Sequence, residues 1–191
     1  MTVRIILAAF ALTALPAQAA EYVLDPQHTY PSFEFPHMGI SVWRGKFDRT
    51  RGSVTLDREA GTGTVDIVVD TASVNFGLDA MDEHARSDKW FDVQQYPDAT
   101  YKGTITFAEG VPAAIDGQFT FRGVTQPLRL VINSFNCIEH PVFKREVCGA
   151  DASGELNWST FGMAMSEYGK GDAGRVTLRI QVEAVAVAVA D

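Results

Sequence analysis

The chain of 191 residues carries 16 Lys and Arg against 24 Asp and Glu, a formal net charge of −8 at pH 7. This balance argues against a nucleic-acid partner, because phosphate backbones require a basic patch, and it disfavours adsorption to anionic lipid surfaces. The length suits one domain with a substantial core, since the sequence contains no linker, repeat or low-complexity tract that would divide it.

The first 19 residues are predicted to be an export signal. Arg4 supplies the positive charge, Ile5 to Leu15 form the apolar stretch, and Ala17 to Ala19 fit the small-x-small cleavage rule. The apolar stretch is too short to span a bilayer, and no later apolar run reaches spanning length. We therefore expect a periplasmic protein with no integral membrane segment in its mature chain, whose single domain covers residues 20–191.

Strand patterns follow at short spacing along the mature chain. Apolar and polar residues alternate in about eight segments, so each segment would bury one face of a strand. Such a series either closes into a barrel or stacks as a sandwich. Gly45, Gly103, Gly117 and Gly154 interrupt strand patterns where a sheet would bend sharply, and large aromatic residues share the faces we expect to point inward. These features favour closure, and we predict an all-β, antiparallel barrel.

One short helix is predicted, from Asp79 to Lys89. Asp79 can cap its start, and Asp82 and Glu83 suit the positive end of the helix dipole. Pro97 prevents the helix from extending further. We expect the helix to cover one mouth of the barrel or to pack beside it.

The two cysteines, Cys137 and Cys148, both lie beyond the export signal. In an oxidising compartment an isolated pair of this kind is most simply a disulfide. It would close a loop of about a dozen residues, worth roughly 3 kcal/mol in the chain-entropy model. The alternative is a zinc site, which needs further Cys or His ligands at close spacing, and only His140 lies inside the loop. We favour the disulfide and expect no metal.

His28 lies in the segment from Asp25 to Thr29, whose Asp-Pro pair favours a turn. A catalytic role would require a carboxylate and a nucleophile arranged around His28. We expect structural roles for His28 and Thr29 instead. The sequence contains no nucleophile elbow, phosphate-cradling loop or paired-carboxylate motif. We therefore predict no enzyme activity, no catalytic residue and no cofactor.

Three segments carry a resemblance to a known family: Tyr22 to Thr29, Arg86 to Pro97, and Gly117 to Pro127. In order and spacing they resemble the YceI-like family, and the resemblance spans almost the whole mature chain. Ala85 stands where the family usually has Leu, and Trp90 where Phe is common. Both replacements are apolar, so these two positions can still pack into a core.

The resemblance implies a secreted, lipocalin-like barrel that holds a polyisoprenoid in an elongated lumen, and for many members a homodimer. The expected partner is an isoprenoid or quinone-like lipid, such as a quinone or a polyprenyl phosphate. Two alternatives stay open: a filled-barrel structural or stress-response protein, and a periplasmic enzyme that uses His28 or His37 with Asp25.

The predicted ligand-binding residues are mainly aromatic side chains on strands, each of which has ordinary barrel core as its alternative role. His37 is predicted to contact a ligand headgroup or to satisfy a backbone carbonyl. The Arg86 guanidinium is predicted either to meet a phosphate or quinone oxygen or to pair with Asp82 or Asp92. The other predicted residues are Phe33, Phe35, Trp43, Phe47, Trp90, Phe119, Phe121, Trp158 and Phe161.

Overall fold

A computed structural model describes residues 19–142, 144–163 and 174–188. The predicted export signal lies outside these ranges apart from its last residue, Ala19, and stays a prediction. Within the described ranges, no helix is long and apolar enough to cross a membrane.

Eleven strands and one α-helix are present in the described ranges. Two single-turn 3₁₀ helices span Thr71–Ser73 and Trp158–Phe161. The strands and the helix are β1 Ala20–Leu24, β2 Tyr30–His37, β3 Ser41–Phe47, β4 Thr50–Asp57, β5 Thr62–Asp70, β6 Val74–Asn75, α1 Asp79–Arg86, β7 Asp98–Ala108, β8 Val111–Phe121, β9 Val124–Glu139, β10 Glu146–Asn157 and β11 Arg175–Ala186.

Eight of these strands close into an antiparallel barrel in the order β1, β4, β5, β7, β8, β9, β10, β11. The ring is completed where β11 pairs with β1, with Ala186 opposite Tyr22. The predicted all-β barrel of about eight strands with one short helix is therefore confirmed.

The remaining three strands extend the sheet beyond one mouth of the barrel. Towards its C-terminal end β11 pairs with β1, but towards its N-terminal end it pairs with β2 instead, with Thr177 opposite Glu34. Strand β2 continues past that pair to His37 and turns back as β3, which pairs with β6. The β2–β3 hairpin therefore projects past the N-terminal end of β11.

The two mouths of the barrel differ in what covers them. One carries the turn between β9 and β10 and the bond between Cys137 and Cys148, and we call it the disulfide end. The other carries α1, the β8–β9 turn and the start of β7, and we call it the helix end. The predicted disulfide is confirmed: the two cysteines are direct cross-strand partners with Cα atoms 4.0 Å apart.

The helix is shorter than predicted and starts differently. It ends at Arg86 rather than Lys89 because Ser87 is extended, with ψ at 166°. Asp79 is its first residue and not its cap; the capping position is Leu78, which makes no side-chain cap bond. The Asp82 carboxylate accepts a hydrogen bond of 2.6 Å from the backbone N–H of Phe76, which ties the first turn of the helix to the chain before it.

A glycine on β3 explains how one large ring fits into the sheet. Gly45 lies directly opposite Phe33 on β2, and the Phe33 ring folds over it. A Cβ atom at this position would lie 2.6 Å from the ring. The absent side chain therefore lets an aromatic residue lie flat against the sheet at the helix end.

Candidate functional site

The barrel encloses a cavity of about 240 Å³ that runs along its interior. All eight barrel strands contribute to its wall. The lining reaches from Trp90 and Trp158 at the helix end to Tyr22 and Cys148 at the disulfide end. Alternation along each strand explains this arrangement, since every second residue of a strand points to the same face.

Aromatic rings dominate the cavity wall at the helix end. The Phe35 and Trp158 ring centroids lie 4.8 Å apart, and those of Phe91 and Phe121 lie 5.2 Å apart, both in edge-to-face arrangements. Trp90 and Phe91 come from the segment after α1, so this segment closes the helix end with large apolar side chains. Edge-to-face ring pairs of this kind add stability beyond the area they bury.

Eight of the predicted ligand-binding residues line the cavity. They come from β2, β3, β8, the segment after α1 and the 3₁₀ turn that follows β10. They are Phe33, Phe35, Phe47, Trp90, Phe119, Phe121, Trp158 and Phe161.

Two predicted residues, His37 and Trp43, lie outside the cavity wall. Their rings stack on each other, with centroids 4.0 Å apart. Trp43 contacts the cavity lining through Phe35, at 6.0 Å between ring centroids. His37 is the last residue of β2 and lies beyond its pairs with β11, whereas Trp43 lies on β3, which pairs with β2 and β6 outside the ring of eight strands.

Arg86 also lies away from the cavity wall, at the C-terminal end of α1. Its Nε donates to the carbonyl oxygen of Ala72 at 2.9 Å, and its Nη2 donates to that of Val74 at 3.3 Å. The guanidinium therefore links α1 to the chain around β6, and among the described residues it forms no ion pair with Asp82 or Asp92, one of its two predicted roles; contact with a ligand oxygen, the other role, stays a prediction. Asp82 is instead bonded to backbone, as described above.

The aliphatic half of the cavity was not among the predicted ligand-binding residues. At the disulfide end the wall is built by branched and small side chains at alternate positions on β4, β5, β7, β9, β10 and β11. The alternation of apolar residues along these strands indicates the same inward face, but the prediction was restricted to aromatic residues. These side chains include Leu56, Val65, Ile105, Leu128, Leu130, Ile132, Ala152, Leu178, Ile180 and Ala184.

Hydroxyl groups are the polar features of this apolar wall. The buried Tyr101 hydroxyl lies 3.1 Å from the carbonyl oxygen of Ile115 and 3.0 Å from that of Leu128, so it bonds within the wall. Burial raises the pKa of Tyr101 far above its ordinary value, which keeps the phenol neutral. Thr50 is buried in the same wall, and its Oγ1 has no hydrogen-bond partner among the described residues.

A charged cluster lies at the rim of the disulfide end. Tyr22, whose ring lines the cavity, donates its hydroxyl to Glu146 at 2.5 Å, and Arg58 donates to both oxygens of the same carboxylate at 3.0 and 2.7 Å. Burial, with a further contribution from the Glu146 bond, raises the pKa of Tyr22 to about 12. Burial alone would raise the pKa of Glu146, but the hydrogen bonds from Tyr22 and Arg58 together lower it. Glu146 is therefore ionised at neutral pH.

A second charged cluster joins the bend between β1 and β2 to β11 on the outside of the barrel. His28 Nδ1 lies 2.8 Å from Asp25 Oδ2 and 4.0 Å from Glu183 Oε2. The backbone N–H of Asp25 bonds to the carbonyl of Glu183 at 2.9 Å, and the Thr29 hydroxyl bonds to the same carbonyl at 3.2 Å. The side chains of Asp25, His28 and Glu183 are spaced as possible metal ligands. The hydrogen bonds of this cluster already explain it as a link between the β1–β2 bend and β11.

Comparison with known proteins agrees with this architecture. The model of the family described as "YceI-like domain" matches residues 22–184. A "UPF0312 protein" of Pseudomonas aeruginosa is 32% identical over 156 residues, covering 80% of this chain and 81% of its own. "Protein YceI" of Salmonella arizonae is 30% identical over 182 residues, covering 94% of each chain.

A solved structure described as a polyisoprenoid binding domain from Saccharophagus degradans superimposes with a TM-score of 0.62. The match covers 88% of this chain and 99% of that one at 16% identity, a level that shows the shared fold alone. The family match and the two relatives confirm the resemblance carried by the sequence segments. This chain belongs to the YceI-like family.

Proposed function

We propose that this protein binds a polyisoprenoid, or a similar long-chain amphiphile such as a prenylated quinone or polyprenyl phosphate, in the barrel cavity, and that it carries this lipid in the periplasm. The observation that supports the proposal most strongly is the continuous apolar cavity of about 240 Å³ through a closed barrel. The Saccharophagus degradans domain of the same fold is described as a polyisoprenoid binding domain, which supports a polyisoprenoid as the class of ligand.

The cavity is narrow, and this favours a thin tail over a bulky guest. Its volume lies below the roughly 300–1,000 Å³ of pockets that hold drug-sized molecules. Each buried CH₂ contributes roughly 0.8 kcal/mol, so one five-carbon isoprene unit contributes about 3–4 kcal/mol at most. Association costs at least about 4 kcal/mol in lost freedom. Several units of a linear tail are therefore needed, with the headgroup held outside the wall.

The chemistry of the wall supports binding over catalysis. The functional groups on its side chains are hydroxyls, the Cys148 sulfur, the Met163 thioether and the indoles of Trp90 and Trp158, and no carboxylate, imidazole or amine of the described residues lines the cavity. Acid–base catalysis requires such groups within hydrogen-bond reach of the substrate. The filled-barrel alternative is disfavoured by the open interior volume. A homodimer stays a prediction drawn from the family.

The proposal is tested by native mass spectrometry of the full chain, expressed with its own N-terminus and purified from periplasm without detergent. We expect the intact protein to carry an extra mass that organic extraction releases as a prenyl lipid. A protein that elutes at its bare mass, and that takes up no prenyl lipid when one is added in excess, would contradict the proposal.

A further inference from the structure

The turn between β2 and β3 exposes apolar side chains at the helix end. Within residues 38–42, which we call the hairpin tip, Ile40 is 81% exposed, Met38 57% and Val42 46%. The tip is held in shape: His37 pairs with Ser41, and the backbone N–H of Ile40 bonds to the carbonyl of His37 at 3.1 Å. Three adjacent apolar side chains on a fixed, convex turn are unusual for a surface that meets only water.

The hairpin tip is uncharged, and the next charged residue along the chain is paired. From His37 to Trp43 the chain contains no Asp, Glu, Lys or Arg. Arg44, the next residue, donates from its Nε to Glu34 at 3.1 Å. The residues of the tip itself are therefore apolar or uncharged.

Aromatic contacts connect the hairpin tip to the cavity. Trp43 follows Val42 directly, stacks on His37, and touches Phe35, which lines the cavity. Tryptophan and histidine rings present an apolar body and a polar edge, which is the character of side chains at a lipid–water boundary. Apolar surface thus continues from the tip, through Trp43, to the cavity wall.

We infer that the hairpin tip inserts into the surface of a lipid bilayer, where the protein takes up or releases its guest. The role of this contact in taking up or releasing a lipid rests on the proposed function, whereas the contact of the tip with the bilayer does not. A bilayer accepts a small convex apolar protrusion, whereas a stable protein partner needs a complementary surface of roughly 800 Å² on each side. Because the chain carries a net charge of −8, the surface that it fits is zwitterionic rather than anionic.

The test compares the wild-type chain, the double variant Met38→Ser/Ile40→Ser, and the control Val131→Ser. Val131 is 50% exposed on β9, on the side wall of the barrel, so its replacement removes exposed apolar surface away from the tip. Protein partition is measured by co-sedimentation with phosphatidylcholine vesicles. We expect the wild-type chain and the control to partition equally, and the double variant at least tenfold less.

A second readout reports which part of the molecule meets the lipid. Trp43 lies next to the hairpin tip, whereas Trp90 and Trp158 are buried. Vesicles of brominated phosphatidylcholine should quench Trp43 fluorescence in the wild-type chain, and a Trp43→Phe variant should lose that quenching.

Two results would overturn the inference: a wild-type chain that stays in the supernatant, or a double variant that sediments as the wild type does. Binding of a fluorescent prenyl probe in vesicle-free solution is measured in parallel. Failure of the proposed function has a different signature, because the wild-type chain would then not bind the probe in solution, whatever its partition into vesicles.

Discussion

The Tyr101 ring on β7 lies flat over the backbone of Gly117 on β8. A Cβ atom at position 117 would lie 2.6 Å from that ring. Because the ring can cross β8 here, its hydroxyl reaches the carbonyl oxygens of Ile115 and Leu128 and connects β8 with β9 inside the barrel wall. A glycine on β8 thus makes possible hydrogen bonding from a β7 side chain to β8 itself and to β9.

The first prediction concerns this contact. Gly117→Ala should lower the free energy of unfolding by about 1–3 kcal/mol, because the new methyl group forces the Tyr101 ring to move. Urea unfolding measures the change. Gly149→Ala on β10 is the matched control, since its Cβ would meet its nearest neighbour at an ordinary 3.6 Å. Equal losses in both variants would show that the ring contact has no special importance.

A buried hydroxyl without a partner gives the second prediction. Thr50→Val should raise the free energy of unfolding by about 1 kcal/mol, because valine keeps the shape and removes an unsatisfied polar atom. Thr71→Val should have the opposite effect, since the Thr71 hydroxyl donates to the carbonyls of Tyr96 and Pro97 at 2.7 and 2.9 Å. Urea unfolding of both variants checks the signs. Two changes in the same direction would refute the explanation.

The third prediction concerns the disulfide between Cys137 and Cys148. Their sequence separation is 11, so reduction should lower the free energy of unfolding by roughly 3 kcal/mol in the chain-entropy model. Denaturant unfolding with and without a reductant measures the loss. A variant with serine at both positions should be insensitive to reductant, and a wild-type chain that is equally insensitive would contradict the prediction.

The fourth prediction is a pH dependence carried by Asp25 and His28. Their mutual hydrogen bond raises the pKa of His28 above 6.5 and is the main reason that the pKa of Asp25 is lowered below 3.8. The stability from His28 is complete below about pH 6.5 and is lost as the pH rises through the raised pKa. The stability from Asp25 is complete above about pH 3.8 and is lost as the pH falls through the lowered pKa.

The pair therefore stabilises the fold most in mildly acidic solution. The difference in free energy of unfolding between the wild-type chain and His28→Gln should shrink from pH 6 to pH 9. NMR titration of His28 gives a direct check, because Asp25→Asn should return the pKa of His28 towards its ordinary value. An unchanged titration in that variant would disprove the link.

The sequence predicted the barrel because two local signals agreed. Alternating strands required an inward face, and glycines such as Gly45 and Gly117 indicated sharp bends in the sheet; the structure shows that aromatic rings also fold over these two glycines. The lumen residues Phe35 and Phe119 followed from the same alternation. Alternation showed which residues share a face, but only the closed ring of strands shows which of the two faces points inward.

The positions that sequence could not supply depend on contacts between distant segments, and the ligand-contact roles of His37, Trp43 and Arg86 stay predictions. His37 and Trp43 share the alternation of the lumen residues, but sequence does not reveal that β2 runs on beyond β11 or that β3 lies outside the ring of eight strands. Arg86 has carboxylates nearby in sequence, yet it bonds to the carbonyls of Ala72 and Val74, which only the folded chain brings close. The helix end at Arg86 likewise depends on the extended Ser87, for which no glycine or proline gave a signal.

The central claim, that a lipid tail occupies the barrel, is tested most directly by filling the cavity. Ala152 on β10 is buried against it, and Ser153 is the next residue along the same strand, on the alternate face. Binding of a fluorescent prenyl probe is titrated for the wild-type chain, Ala152→Phe and Ser153→Phe, with circular dichroism to confirm folding. If Ala152→Phe does not fold, Ala184→Phe on β11, which lines the same cavity, replaces it. We predict saturable binding by the wild-type chain and Ser153→Phe, and at least tenfold weaker binding by the filled variant; wild-type affinity in a folded, filled variant would contradict the account.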